Sequence, residues 1–145
     1  MKKKESQYEE GYYEISIDEI SLDPNNPRHD SVKDESSVLE ALLKTKNFKN
    51  KIITLMKDIL EYNQNPLDVI GVLLTENNTL YSKEGNRRIA ALKILNNPEL
   101  IRYNDTALYS RVQNLLNDYS IIPNKVYCYV TKNADQLDHA IELKH

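Results

Sequence analysis

Apolar and polar residues alternate over Tyr13-Glu14-Ile15-Ser16-Ile17, the pattern of a strand with one buried face. Val69 to Leu74 is a continuous apolar run of strand length. Asn77-Asn78 supplies a turn, and a short strand to Ser82 follows. Asn124 to Thr131 carries a last strand with Val126, Cys128 and Val130 in alternation. Helical spacing governs the rest. Val38, Leu39, Leu42 and Leu43 recur on one face, with Asp34 or Ser36 placed to cap them. Ile52, Ile53, Leu55, Met56, Ile59 and Leu60 form a second amphipathic set, stopped by Asn63-Gln64-Asn65-Pro66. Further helices are predicted after Gly85, over Ala107 to Leu116, and from Asp135 to His145, with Asn96-Asn97-Pro98 as a stop between the first two. The expected fold is α/β: a small, mixed, twisted sheet from strands near 13–17, 69–75, 79–82 and 124–131, with packed helices.

Residues 1–11 are polar and charged and read as a mobile tail before a single domain over 12–145. Leu22-Asp23-Pro24-Asn25-Asn26-Pro27-Arg28 cannot be helical, because each proline restricts the residue before it. It reads as a rigid loop that projects Arg28. The last helix runs to the end with no cap and no glycine, so the chain is expected to be a fragment of a longer protein.

Composition narrows the function classes. At 145 residues, 40% apolar and 28% charged, the chain is an ordinary globular domain, large enough for a core. A net charge of −3 provides no field that would draw in nucleic acid by itself. No apolar run approaches membrane-spanning length, and no apolar signal core follows Lys2-Lys3-Lys4. One cysteine rules out an internal disulfide and fits a reducing cytoplasm, while three histidines and one cysteine make poor material for structural zinc. Cys128 lies within a strand and reads as a buried structural thiol. Ten tyrosines against one phenylalanine and no tryptophan is an unusual balance with no functional reading from sequence.

The candidate chemistry lies in Lys83-Glu84-Gly85-Asn86-Arg87-Arg88-Ile89-Ala90-Ala91. A helix that opens with two arginines conflicts with the partial positive charge of its own N-terminus. A phosphate held between free N–H groups and guanidinium groups removes the conflict. Gly85 then permits a sharp turn and a close approach, in a chain with three glycines altogether. A surface ion pair between Glu84 and the arginines is the plainer alternative.

Glu84-Gly85-Asn86-Arg87-Arg88-Ile89-Ala90-Ala91 resembles the Gly-x-Arg-Arg-x-x-Ala box of the ParB N-terminal domain. Asn26-Pro27-Arg28 resembles the Pro-Arg segment that follows the first strand in that family. The resemblance implies a ParB/sulfiredoxin-like fold in which Gly85, Asn86, Arg87 and Arg88 contact nucleotide phosphates, with Arg28 and Asn26 closing the pocket. The implied ligand is a nucleoside triphosphate, CTP in ParB, with magnesium as a candidate companion. The implied role is a switch or NTPase in a DNA-associated protein of plasmid, phage or defence settings. DNA contacts would lie outside this chain, and a homodimer is a candidate assembly. The segment near 36–48 is additional to the family pattern and is expected to thicken the core, with a lid or a partner surface beside the pocket as the alternative.

Two departures limit the chemistry. Sulfiredoxins carry a nucleophilic cysteine at the position of Asn86, so sulfinic acid reduction is nearly excluded. ParB proteins carry glutamate there, which leaves Glu84, one residue displaced, as the candidate catalytic or magnesium-binding acid. On that basis a ParB-fold nuclease or phosphotransferase is an alternative, as is a DNA- or protein-binding module without nucleotide.

Overall fold

The computed structural model describes residues 8–23, 35–45, 47–63 and 68–144. Five strands form one mixed sheet: β1 (Gly11–Ser16), β2 (Ile20–Leu22), β3 (Ile70–Leu74), β4 (Leu80–Ser82) and β5 (Lys125–Thr131). Their spatial order is β1-β5-β3-β4-β2. Pairing alternates in sense: β1 with β5 and β3 with β4 are antiparallel, whereas β5 with β3 and β4 with β2 are parallel. Five α-helices accompany them: α1 (Glu35–Leu43), α2 (Phe48–Tyr62), α3 (Asn86–Asn96), α4 (Thr106–Leu116) and α5 (Ala134–Lys144). The α/β expectation is met.

β1 and β2 occupy opposite edges of the sheet, yet only the 3-10 turn Ile17–Glu19 separates them in sequence. Four strand spacings in a flat sheet span about 19 Å. The link from Ser16 to Ile20 reaches at most about 14 Å. The sheet is therefore curled so that its two edges approach. α3 fills the concave side, packing against β2, the 3-10 turn and α2, and Lys93 Nζ donates to the Ile17 carbonyl at 3.3 Å.

The concave face is apolar. Ile15, Ile20, Leu22, Ile70, Val72, Leu74, Leu80, Val126, Cys128 and Val130 are all buried against Ile89, Ala90, Leu92 and Ile94 of α3 and the inner faces of α1 and α2. Val38, Leu39, Leu42 and Leu43 all join this core, so α1 thickens it as expected. Strand residues of opposite parity face outward: Tyr12 on β1, Gly71 on β3, Tyr81 on β4, and Tyr127 and Tyr129 on β5. Tyrosine suits a sheet face that is only partly covered, because its ring packs and its hydroxyl stays wet. Four of the ten tyrosines thus have a structural place on this face. α5 is the helix against this outer face, and it touches β3 through Leu137.

Several sequence expectations need adjustment. β2 lies within the stretch read as leading into a loop; at three residues it is too short to carry a period. The first strand ends at Ser16 and Ile17 enters the 3-10 turn. Gly11 starts β1, and Tyr8 packs edge-on against Tyr13 at 5.0 Å, so residues 8–11 of the expected tail make contacts. α1 begins at Glu35, which places Ser36 inside its first turn, and Asp34 lies outside the described residues.

Candidate functional site

The first part of the box is set by strand pairing. β3 and β4 are joined through a turn in which Asn78 takes φ 63° and the Thr75 N–H donates to the Thr79 carbonyl at 2.9 Å. Beyond Ser82 the Lys83 N–H donates to the Gly71 carbonyl at 2.9 Å, which carries the chain past the end of the sheet. Gly85 then turns it at φ 74°, ψ 24° and serves as N-cap of α3. A Cβ there would lie 3.2 Å from Ile70 Cγ1, so the turn is pressed against β3 and tolerates no side chain without adjustment.

Gly85 has no side chain to cap the helix, and no acidic residue lies in the first turn. The N–H groups of Asn86, Arg87 and Arg88 find no acceptor among the described residues. The conflict seen in sequence is therefore real: two guanidinium groups lie at the positive end of an eleven-residue helix.

The side chains diverge. Asn86 is 3% exposed and turns inward, where its Oδ1 accepts from the Ser82 hydroxyl. Its Nδ2 is buried without a hydrogen-bond partner. The phosphate contact expected of Asn86 is thus available from its backbone N–H, while the amide ties α3 to β4. Arg88 Nη2 lies 3.2 Å from Asp68 Oδ2, and Arg88 Nη1 is also buried without a hydrogen-bond partner. Arg87 is half-buried and makes no ion pair among the described residues.

Glu84 does not neutralise the arginines. Its Oε1 accepts from Lys144 Nζ at 2.5 Å, and Lys144 also lies 3.6 Å from Asp68 Oδ1. The hydrogen bond to Glu84 holds the Lys144 ammonium above its ordinary pKa against the opposing effect of burial. Arg88, Asp68, Lys144 and Glu84 form a continuous charge chain from the first turn of α3 to the last turn of α5. Sequence reading missed Lys144 and Asp68, because neither has a local pattern and the link spans 60 positions. Among the described residues no three His, Cys, Asp or Glu side chains gather as a metal site.

A second carboxylate stands beside the box. Asp23, directly after β2, is 4% exposed and pairs with Lys83 Nζ at 2.9 Å. β2 and β4 run parallel and end together, so the chain segments leaving their carboxyl ends start in contact. In open α/β sheets such ends are where ligands bind. Asn26 and Arg28, expected to close the pocket, lie outside the described residues.

A groove of about 460 Å³ runs under α5, lined among others by Tyr12, Gly71, Tyr129, Leu137, Glu84 and Lys144. It meets the box at the Glu84–Lys144 pair and includes none of the arginines. Cys128, fully buried, has its thiol pushed up to about 12 by burial and donates weakly to the Val126 carbonyl, so it is structural.

The fold and site together define a curled mixed α/β sheet with a glycine turn and an arginine-headed helix at the carboxyl end of two parallel strands. No family model matches the chain, and searches of curated proteins and of solved structures give no match. No helix among the described residues is long and apolar enough to cross a membrane.

Proposed function

We propose that the Gly85–Arg88 turn binds the phosphates of a nucleotide, and that the chain is a nucleotide-binding domain of the ParB-like kind. One observation carries the reading. The first turn of α3 combines three N–H groups lacking described acceptors, two arginines, no acid, and orphaned buried donors on Asn86 and Arg88. An anion at that point would satisfy the three N–H groups and balance the arginines, while the inward-turned Asn86 amide lies beyond its reach. The resemblance adds the ligand class, a nucleoside triphosphate with CTP as the first candidate, and a switching role in a DNA-associated protein. Arg28 follows Asp23 by five residues, so at most about 17 Å of chain separates it from the Asp23–Lys83 contact. That reach is compatible with its expected place opposite the box. With Glu84 engaged by Lys144, a role as general acid or base is not favoured over binding.

A thermal-shift screen against CTP, ATP, GTP, UTP and ADP, with and without magnesium, tests the reading. Ligand at a hundred times its dissociation constant stabilises by about 2.7 kcal/mol. The melting temperature should rise by roughly 5–10 °C. The rise should vanish in the Arg87→Ala, Arg88→Ala double variant. Absence of any shift with all five nucleotides would sink the proposal.

A further inference from the structure

α5 covers only part of the outer sheet face. It meets β3 through Leu137, and on the β1–β5 side Tyr12 stays 73% exposed and Tyr127 51% exposed. Ile121, shortly before β5, is 80% exposed. These side chains form one surface. The Tyr12 ring lies 5.1 Å from that of Tyr129, which is two residues along β5 from Tyr127. Tyr127 and Ile121 in turn share the wall of a depression of about 250 Å³ with Glu14, Asn63, Asn124 and Lys125. Contiguous ring and branched apolar surface on this scale marks a place of contact.

Charge narrows the occupant. Glu14 and Lys125 are the charged side chains of the depression, and neither makes an ion pair among the described residues. Glu14 stands opposite Tyr127 and Lys125 opposite Ser16, so an acid and a base lie close together on one face. One of each sign leaves no field to attract nucleic acid. The depression is also below the roughly 300 Å³ at which ligand pockets begin. A patch that carries both signs is instead complementary to itself. A two-fold axis between the charges sets Glu14 of each copy against Lys125 of the other and packs the exposed rings and Ile121 together. With the flanking Ile122, Pro123 and Tyr129, each copy offers about 500–600 Å². A pair then buries about 1,000–1,200 Å², the lower end of specific interfaces.

We propose that the β1–β5 side of the outer sheet face is a two-fold interface between copies of this chain. Tyr12, Tyr127 and Ile121 supply its contact area, and reciprocal Glu14–Lys125 pairs set its register. An interface of that area gives a weak dimer, with a dissociation constant of about 1–100 µM. None of its residues belongs to the Gly85–Arg88 turn, and the inference is independent of the phosphate reading.

Sedimentation velocity over about 1–300 µM protein is the test. The wild type should pass from monomer to dimer as its concentration rises. Glu14→Lys alone and Lys125→Glu alone each turn both ion pairs into repulsions, and each should raise the dissociation constant about tenfold or more. Mixed in equal amounts, the two variants should pair with one another at close to wild-type affinity, because every contact is again between opposite signs. Chains that fail alone and succeed together are folded, so the mixture is also the control for damage. A wild type that stays monomeric throughout the range overturns the inference and leaves the face to a different partner. A dimer indifferent to both substitutions overturns it too, by placing the contact elsewhere. Loss in each variant without recovery in the mixture rules out the reciprocal pairing of Glu14 with Lys125.

Discussion

At φ 74° Gly85 occupies the left-handed region, and a Cβ there would press on Ile70 Cγ1 at 3.2 Å. Gly85→Ala therefore carries a backbone cost of about 1 kcal/mol plus the cost of displacing Ile70. Urea unfolding should register a loss of about 1–3 kcal/mol, and phosphate affinity should fall with it because the N–H groups of α3 are re-aimed. Cys128 gives an independent test of burial. With its thiol at about 12, only about one molecule in ten thousand is thiolate at pH 8. A disulfide reagent should leave folded protein unmodified and react fully once urea unfolds it. Both residues were legible in the sequence, Gly85 as the punctuation before an apolar helix and Cys128 as part of an alternating strand. Asn86 was legible only in position. Its inward turn to Ser82 depends on where β4 lies beneath α3, and no spacing rule contains that.

Among the elements, α2 was read closely because its stop acts locally. Asn63 ends α2 at φ 61°, with its N–H donating to the Ile59 carbonyl at 2.8 Å. Asp105 starts α4 by accepting from the Leu108 N–H at 3.0 Å and also binds Lys49 at 2.8 Å. The side-chain hydrogen bond from Lys49 holds the Asp105 carboxyl below its ordinary 3.8, against burial. A carboxylate with a depressed folded value stabilises the protein above its unfolded pKa and loses that contribution as pH falls through the folded one. Asp105→Ala should thus cost about 1–2 kcal/mol at pH 7. The gap between variant and wild type should narrow once the pH drops below the ordinary 3.8, as followed by thermal melts. β2 was not legible, since three residues show no period and its partner β4 lies 60 positions away. The charge chain through Asp68 and Lys144 was hidden for the same reason.

For the whole molecule, the curled sheet divides the chain into a well-packed inside and a lightly held outside. α3 contributes seven buried residues to the inside, while α5 buries Leu137 alone. Gly71 makes room for it, as a Cβ there would stand 3.0 Å from Leu137 Cδ1. Leu137→Ala should speed hydrogen exchange across α5 and leave α3 protected, a separation readable by mass spectrometry. Periodicity could announce that the last helix is amphipathic. It could not say that this helix lies on the outer face of the sheet, because that follows from how the strands are ordered.

That ordering also sets a timetable for biosynthesis. Among the described residues β5 is the last strand to be made, yet it lies between β1 and β3 and is the sole partner of β1. Gly11 leaves the ribosome well over a hundred residues ahead of Val130, its partner in the ladder. At about 5–20 residues per second, β1 waits roughly 6–25 s for a neighbour. Throughout that interval the growing chain displays β1 unpaired and one side of β3 open, a template for any other strand it meets. A message cut short before Lys125 leaves the polypeptide in that condition permanently.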